Sequence, residues 1–500
     1  MPEHPTTAEH GAYKADPTSR PHLLGNFIDG SWRPAESGGA RTNTSPADTG
    51  DRIGEFAESG GADAEEAVEA AARAWPDWRG AGPIERADYL RRAEGLLRER
   101  KEVIARALTR EQGKRVREAR AEVDRALAIL DFTAGEARRL NGVTTPAEEP
   151  RTFAFTFRQP IGVTALITPW NFPLAIPMWK VAPALLSGCT AVLKPSPLTP
   201  LTGALLTEVF ADAGLPPGVL NLVQGDRAAG EALVDHPRTA GVSFTGSLPV
   251  GREIQRAGAE RLLRTQLELG GKNAVVVLDD ADLDKAADAI VHGAFGQSGQ
   301  RCSATSRVVV DSSVKGALLE RLRTRVSAMR VGPGQDPDTD IGPVISAAQR
   351  TACLTAVDRA RQAGATVVCG GDPPAGPLPE GHYVAPTVLA DVAWDAEIAQ
   401  EEVFGPVLSV IECSGFDEAL RIANSVRYGM SGTVFTADTA RIFEALDRFE
   451  AGMLHVNRPG VGAYAHLPHM GSKLSQYGAP ECSPQVWDFY TEWRSACISY

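Results

Sequence analysis

Cys302 has an unusual setting for a cysteine, in the segment FGQSGQRCSATSR at 295–307. Its neighbours are small or polar, whereas a structural cysteine usually packs among aliphatic side chains. A free thiol has a pKa of about 8.5, so a catalytic cysteine needs a cation, a helix dipole or a base nearby. Arg301 is adjacent in the sequence. The segment is therefore compatible with a nucleophile that leaves room for a substrate, and also with an ordinary loop thiol.

Glu268 and Asn171 could assist such a nucleophile. Glu268 precedes two glycines in LELGGKN at 267–273, where a carboxylate is either a general base or an exposed acid before a turn. Asn171 lies in the proline-bracketed segment ITPWNFPLAIPMWK, where a fixed amide could donate to a developing oxyanion. The aromatic residues of that segment could line a pocket or simply pack against the prolines.

Three segments beside predicted strands could hold a phosphorylated ligand. The first two follow their strands, whose carboxyl ends face the ligand crevice in α/β folds, and the third precedes its strand. KPSPLTP offers Lys194 and Ser196 to a ribose or a phosphate. FTGSLPVG has two glycines, and a helix expected to begin after Ser247 would offer its N–H groups. QEEVFGPVL offers Glu402 and Phe404 as a ribose acceptor and a stacking ring.

The composition is that of a globular enzyme and argues against several other classes. The chain has 500 residues, of which 43% are hydrophobic and 23% charged, and this length predicts two or three domains. The net charge of −12 disfavours binding to nucleic acid or to anionic membranes. The seven cysteines have neither paired spacing nor a Cys/His cluster, so we expect no metal and no disulfide framework. The first 25 residues contain no apolar leader segment, and the cytoplasm is the expected location.

Strands and helices alternate along most of the chain and must position these residues. Apolar segments such as IGVTALIT, CTAVL, GVSFT and AVVVL alternate with longer helical segments, as in a parallel α/β sheet. The same alternation of strands and helices is predicted at 284–456, with the apolar segments RVVV, TVVC, VLSVI and GMLHV. Two α/β domains in tandem are therefore predicted. Before them, residues 64–140 are predicted to be helical, with one segment running from Pro83 to Gly113.

Two shorter segments predict β structure outside these domains. NFIDGSW is typical of a hairpin that turns at Asp29 and Gly30. In RTFAFTF, Phe153, Phe155 and Phe157 alternate with smaller residues, which indicates a half-buried strand. Such an isolated strand is expected to pair with another element or with another subunit.

Six motifs in one order, PWNFP, KPS, FTGS, ELGGKN, GQRC and EEVFGPV, together resemble the aldehyde dehydrogenase superfamily from about residue 25 to residue 500. The C-terminal segment is similar to that of α-ketoglutaric semialdehyde (2,5-dioxovalerate) dehydrogenase-like members. The resemblance implies an α/β fold with two tandem parallel-sheet domains and a β oligomerisation arm. The implied parts are a flexible N-terminal arm at 1–22, a dinucleotide-binding domain at 23–141 and 161–271, a catalytic domain at 272–475, and the arm and tail at 142–160 and 476–500.

The resemblance also implies a role for each motif residue. Cys302 matches the nucleophile, Glu268 the general base, and Asn171 the side-chain donor of the oxyanion hole. The implied reaction oxidises an aldehyde to an acid through a thiohemiacetal and a thioester on Cys302, with hydrolysis rather than transfer to coenzyme A. The cofactor is NAD or NADP, and the positions that match its binding residues are Thr168, Pro169, Trp170, Lys194, Ser196, Gly246, Ser247, Gly270, Glu402 and Phe404.

The sequence leaves the cofactor preference and the aldehyde open. NAD-preferring members often carry a glutamate three residues after the motif lysine, whereas Pro197 stands here and permits NADP. The stretch PHMGSK has His469 and Met470 where the family pattern has Phe and Gly, so His469 is expected near the substrate mouth. The expected pocket residues are Phe172, Ile176, Trp179, Arg301, Arg458 and His469.

A cationic mouth would suit a small anionic semialdehyde. Arg458 could instead cap a helix or pair with an acidic neighbour. The alternatives are a dehydrogenase for an aromatic, uncharged or specialised biosynthetic aldehyde, such as a phosphono aldehyde, and a non-catalytic relative, which only the altered PHMGSK segment favours. No nucleic acid and no membrane partner is expected. The arm implies a homodimer or a homotetramer.

Overall fold

The computed structural model describes residues 20–374 and 376–500. The flexible arm predicted at 1–22 lies almost entirely outside this part of the chain, although Arg20 pairs with Glu208 at 2.6 Å. None of the helices in these two ranges is long and apolar enough to cross a membrane.

The first sheet has eight strands, of which the five central ones are parallel. From edge to edge the strands are Ser31–Arg33, Asn26–Ile28, Leu220–Leu222, Thr190–Lys194, Val163–Ile167, Thr239–Thr245, Arg264–Glu268 and Gln476–Tyr477. The predicted hairpin at Asp29 and Gly30 forms one edge of the sheet, with φ values of 52° and 76°. Both values are positive, as a two-residue type I′ turn requires.

The second sheet has seven strands and is parallel except for one antiparallel edge pair. Its strands in order are Thr366–Cys369, Thr387–Ala390, Val407–Cys413, Thr305–Asp311, Asn273–Val277, Ser431–Phe435 and Met453–Val456. Successive residues of one strand enter different apolar clusters, Val276 on one side and Val277 on the other, so both faces are covered. The predicted tandem of parallel α/β sheets is confirmed.

Helices pack against these sheets and connect their strands. They span Gly61–Gly80, Pro83–Glu99, Lys101–Gln112, Val116–Gly135, Ala175–Ser187, Pro200–Asp212, Arg227–Asp235, Leu248–Gly258, Leu283–Phe295, Ser312–Ser327, Ala347–Gln362, Glu397–Gln400, Phe416–Asn424, Thr439–Arg448 and Trp487–Tyr490. The single helical segment predicted from Pro83 to Gly113 is two helices in the structure. Arg100 leaves the helical region at φ −91° and ψ 3°, which ends one helix and begins the next.

The predicted arm strand is confirmed. Thr152–Pro160 pairs antiparallel with Thr491–Ser499 over nine residues, and Thr144–Thr145 adds a short third strand. In this three-stranded sheet Trp493 and Ile498 are about half exposed, at 50% and 53%. Pairing with a second copy of the chain stays a prediction. Two further pairs complete the β structure of the described residues, Ala40–Ser45 with Asp48–Ala57 and Tyr428–Gly429 with Ser472–Lys473.

Candidate active site

The three expected catalytic residues meet between the two sheets. Glu268 is the last residue of its strand in the first sheet, and Asn171 lies in the loop after Val163–Ile167, which is two strands away in the same sheet. Cys302 lies between the helix Leu283–Phe295 and a strand of the second sheet. Each residue is therefore placed by the end of a regular element, which fixes its backbone more closely than a free loop would.

The loop that carries Cys302 is held by a residue that the sequence reasoning did not single out. The Asn273 side chain donates to the carbonyls of Cys302 and Ala304, at 2.8 Å each. A Cβ on Gly271 would lie 2.5 Å from the Cys302 carbonyl oxygen, so only glycine allows this approach. Both residues belong to the ELGGKN motif, which was the available signal for their importance.

His469 lies beside the nucleophile rather than at the mouth of the cavity. Its Nε2 is 4.0 Å from Cys302 Sγ and 3.4 Å from Glu268 Oε2. One donor atom from each of the three residues lies within 4.8 Å of the others. His469 is only 4% exposed. The backbone of His469 pairs with Glu481, and its side chain lines the cavity, so its expected part in reading an anionic substrate stays a prediction.

Burial and charge shift the titration of this cluster. Burial raises the pKa of Cys302, which His469 lowers and the carboxylates of Glu268 and Glu402 raise further. Burial also raises the pKa of Glu268, although His469 opposes that shift. Burial alone would lower the pKa of His469, but Glu268 and Cys302 raise it well above its usual range. Glu268 and Cys302 thus favour the charged form of the His469 ring, and His469 in turn favours their negative charges.

A buried ion pair supports the backbone of Asn171. Its amide nitrogen donates to the Gln300 carbonyl at 3.2 Å, which leaves its second hydrogen for a ligand. The backbone carbonyl of Asn171 accepts a hydrogen bond from Lys114 Nζ at 2.8 Å, and Lys114 also forms an ion pair with Glu122. Sequence reasoning missed Lys114, which lies in the loop between two helices, and Glu122, which belongs to a helix whose charged residues usually face solvent.

A cavity of about 900 Å³ leads to Cys302. Of the expected pocket residues, its lining includes Phe172, Ile176, Trp179, Arg301 and His469. Arg458 is not part of the lining. It is exposed, and its guanidinium donates to the Tyr464 hydroxyl at 2.7 Å.

Arg125 is the cavity residue that the sequence reasoning missed. The other four arginines of the lining each have a carboxylate within 4.0 Å; the pairs are Arg115 with Glu118, Arg117 with Asp340, Arg301 with Glu118, and Arg325 with Asp288. Arg125 forms no hydrogen bond and no ion pair with any of the described residues. Burial lowers the pKa of Arg125, and a guanidinium nevertheless stays charged in proteins.

The expected cofactor residues line one edge of the first sheet. Most of them follow four adjacent parallel strands: Thr168, Pro169 and Trp170 after Val163–Ile167, Lys194 and Ser196 at the end of Thr190–Lys194, Gly246 and Ser247 after Thr239–Thr245, and Gly270 after Arg264–Glu268. This carboxyl edge is where ligands bind in open α/β sheets. The helix Leu248–Gly258 begins directly after Ser247, whose side chain makes no capping hydrogen bond. Its first N–H groups are therefore free to meet a phosphate.

Glu402 and Phe404 reach this edge from the second sheet. Glu402 accepts from the Gly271 N–H at 2.9 Å, and burial raises its pKa to about 7. A Cβ on Gly270 would lie 2.2 Å from a Glu402 oxygen, so a side chain there would displace the carboxylate. The Phe404 ring meets the Trp170 ring edge-on at 5.3 Å. The contacts of Glu402 with Gly271 and of Phe404 with Trp170 thus bring the two groups of residues together.

Comparison with known proteins gives one consistent assignment. The pattern of the aldehyde dehydrogenase family matches residues 32–496. The α-ketoglutaric semialdehyde dehydrogenase of Bacillus subtilis (strain 168) is 40% identical over 95% of this chain and 97% of its own. The betaine aldehyde dehydrogenase of Rhizobium leguminosarum bv. trifolii is also 40% identical, over 95% and 96%. A crystal structure of betaine aldehyde dehydrogenase from Staphylococcus aureus in complex with NAD+ superposes with a TM-score of 0.93 at 32% identity, covering 97% of this chain and 98% of the other.

Proposed function

Because the chain belongs to the aldehyde dehydrogenase family, we propose that it oxidises a small aldehyde that carries a carboxylate to the corresponding acid. The aldehyde chemistry follows from the family and from the meeting of Cys302, Glu268 and Asn171. The observation that supports this substrate class is Arg125, which lines the cavity beside Cys302 and has no partner among the described residues.

The nucleophile and the oxyanion site account for the first half of the reaction. Cys302 Sγ attacks the aldehyde carbon, the C–S bond forms, and the carbonyl π pair moves to oxygen. The Cys302 N–H donates to none of the described residues, and the Asn171 amide has one free hydrogen. These two donors meet the developing negative charge and stabilise the adduct.

The expected cofactor residues fit a dinucleotide in three respects. The Ser247 helix terminus suits a pyrophosphate, Lys194 and Ser196 suit the adenosine ribose, and Glu402 suits the ribose on the nicotinamide side. The Thr168 hydroxyl, buried at this edge, has no hydrogen-bond partner among the described residues. When bound, the dinucleotide accepts the hydride that turns the adduct into a thioester.

Glu268 accounts for the second half of the reaction, the hydrolysis of the thioester. Its carboxylate removes a proton from water, the resulting hydroxide attacks the thioester, and the C–S bond breaks to release the acid and the Cys302 thiolate. Burial raises the pKa of Glu268, which brings it closer to neutral pH and makes it a better proton acceptor than an ordinary carboxylate.

Arg125 distinguishes an anionic aldehyde from a quaternary ammonium aldehyde. Quaternary ammonium groups are recognised by open aromatic faces. The cavity aromatics are already engaged, since Lys114 Nζ lies 4.7 Å from the Phe172 ring and the Trp179 ring stacks on His469 at 5.0 Å. A carboxylate instead gains a charge-assisted hydrogen bond from Arg125, which has no other partner among the residues described.

Replacement of Arg125 with methionine should raise KM for an anionic aldehyde about 10- to 100-fold. A hydrogen bond to a charged group contributes about 1.5–3 kcal/mol, and 1.4 kcal/mol is a factor of ten. The measurement is the initial rate of dinucleotide reduction with α-ketoglutaric semialdehyde, with pentanal as an uncharged aldehyde of equal chain length, and with betaine aldehyde. We expect the rate constants for pentanal to change less than about threefold.

Arg458→Met is the matched control, because it removes an exposed guanidinium that is not itself part of the cavity lining and reaches the cavity only through its hydrogen bond to Tyr464. It should leave KM for the anionic aldehyde unchanged. If wild-type kcat/KM is highest for pentanal or for betaine aldehyde, the anionic substrate class is wrong and the oxidation chemistry stands. If no aldehyde is oxidised, the chemistry itself is wrong.

The charges around Lys194 favour NAD over NADP. Burial lowers the pKa of Lys194 to about 8, while Asp226 and Glu58 raise it and Arg41 lowers it. Arg41 is already paired with both carboxylates, at 2.5 Å and 3.1 Å. Together with the Lys194 ammonium these groups sum to zero, so no excess positive charge is left to attract a 2′-phosphate. We expect kcat/KM for NAD to exceed that for NADP at least about tenfold, and the ratio to fall in Glu58→Gln/Asp226→Asn. Equal use of both cofactors by the wild type would contradict this preference.

A further inference from the structure

His469 is fixed at the nucleophile by its backbone. Its N–H donates to the Glu481 carbonyl at 2.7 Å, and the Glu481 N–H donates back at 3.0 Å. The Glu481 side chain in turn forms a fully buried ion pair with Lys180. A shift of this backbone pairing would also move Glu481 away from Lys180 and leave a buried charge without its partner, so the position of the imidazole is fixed.

The imidazole presents the same nitrogen to a thiol and to a carboxylate. Nε2 is 4.0 Å from Cys302 Sγ and 3.4 Å from Glu268 Oε2. This is not the arrangement of a relay, in which the base and the orienting acid use opposite ring nitrogens. A single Nε2–H placed between two anions instead lowers the energy of both negative charges.

The groups beside Nε2 and over the ring face favour a charged ring, whereas Nδ1 has no hydrogen-bond partner among the described residues. The Trp179 indole lies 5.0 Å from the imidazole at 33°, a geometry that favours a cation over an aromatic face. Neither Glu268 oxygen has a conventional hydrogen-bond partner among the described residues, so His469 is the nearest source of compensation for this carboxylate. The other charged groups acting on the cluster are the Lys180–Glu481 pair, Glu402, and Arg301 with its partner Glu118.

We propose that His469 is an imidazolium that bridges Glu268 and Cys302 and stabilises the thiolate of the nucleophile, so that a larger fraction of Cys302 is ionised before the aldehyde arrives than with an uncharged residue at this position. The proposal rests on the proposed function only in taking Cys302 as the nucleophile. The proton that leaves Sγ passes to solvent through the cavity, and Nε2–H then donates to the sulfur. When the thiolate attacks, its lone pair forms the C–S bond, and the imidazolium remains beside Glu268.

This role follows from the local electrostatics of the thiol. Burial and two carboxylates raise the pKa of Cys302, and His469 lowers it. With a phenyl ring in place of the imidazole, which is the family pattern at this position, the opposing contribution disappears. The thiolate fraction at a given pH below the pKa of the thiol is then smaller. The chain thus carries its own cation beside a nucleophile that burial would otherwise keep protonated.

Alkylation of Cys302 by iodoacetamide tests the proposal directly, because the thiolate is the reacting form. The full-length protein, without aldehyde or dinucleotide, is alkylated over a range of pH, and the Cys302 peptide is quantified by mass spectrometry. Peptide resolution separates it from the exposed Cys497. At about pH 6 we expect His469→Phe to react at least about tenfold more slowly than the wild type, with the midpoint of its profile shifted to higher pH.

Two variants serve as controls. His469→Gln keeps a polar side chain without a titrating ring and should behave like His469→Phe, which also covers the case that phenylalanine does not fit. His466→Phe removes an exposed histidine of the same segment and should match the wild type. Superimposable pH profiles for the wild type and both His469 variants would overturn the proposal and leave His469 as a packing residue. Because no aldehyde is present, this outcome is independent of whether the anionic substrate class is right.

Discussion

Glu268→Gln forms about one equivalent of reduced dinucleotide per chain in a first rapid phase and then nearly stops. The amide keeps the size of the side chain but cannot take a proton from water, so the thioester on Cys302 accumulates. We expect kcat to fall by a factor of about 10² to 10⁴, the usual contribution of a positioned general base. Stopped-flow absorbance of the reduced dinucleotide measures the amplitude of the first phase, and intact-protein mass spectrometry detects the acyl group.

The amplitude, rather than the rate, of the first phase is the decisive quantity. Loss of the Glu268 carboxylate also removes the anion that keeps His469 charged, so the first phase itself is expected to slow. Asp288→Asn is the matched control, because Asp288 is an exposed carboxylate at the same cavity and pairs with Arg325 at 2.6 Å. It should show normal turnover. A Glu268→Gln enzyme whose kcat is within about threefold of the wild type would refute the general-base role.

The same carboxylate determines a pH dependence in the wild type. Burial raises the pKa of Glu268, with His469 opposing. The base acts only when it is deprotonated, so steady-state turnover falls as the pH decreases through this raised pKa. The loss therefore begins at higher pH than for an ordinary carboxylate. Asp288→Asn should keep this dependence, and Glu268→Gln should lose it from the residual rate.

The sheets could be predicted from the sequence because their strands are buried on both faces and appear as continuous apolar segments. Asn273–Val277 and Thr305–Asp311 are examples. The pair Ala40–Ser45 and Asp48–Ala57 escaped prediction, because its residues are mostly polar and exposed and have no hydrophobic period. The helix break at Arg100 also has no local signal, since no Pro or Gly stands at the junction.

The reacting groups of the site were accessible to sequence reasoning, whereas their electrostatics were not. Cys302, Glu268 and Asn171 lie in motifs whose order identifies them. The burial of His469 depends on its backbone pairing with Glu481, and no sequence pattern near PHMGSK indicates that contact. Arg125 is one arginine among many on an amphipathic helix, and only the three-dimensional arrangement shows that its neighbours in the cavity are paired and it is not.

Lys114→Met should destabilise the protein by about 3–5 kcal/mol, because it leaves the Glu122 charge buried without its partner. The two side chains are 0% and 1% exposed. The substitution also removes one of the two side-chain donors to the Asn171 backbone carbonyl and leaves Gln297 as the other, so the proposed oxyanion donor loses part of its support. Urea unfolding followed by tryptophan fluorescence measures the change in the free energy of unfolding. Lys101→Met is the surface control: its partner Asp124 is 58% exposed, and the expected loss is below about 1 kcal/mol.

A second substitution separates the buried charge from the geometry of the site. Glu122 also accepts from the N–H groups of Leu174 and Ala175, at 2.9 Å and 3.1 Å, at the start of the helix Ala175–Ser187. Glutamine can keep one acceptor oxygen there while removing the charge. Lys114→Met/Glu122→Gln should therefore regain most of the lost stability, yet kcat should stay low, because the Asn171 carbonyl still lacks the Lys114 donor. If both the stability and kcat recover, Lys114 only neutralises Glu122. If neither recovers, the dominant interaction is the cation–π contact of Lys114 with the Phe172 ring, at 4.7 Å.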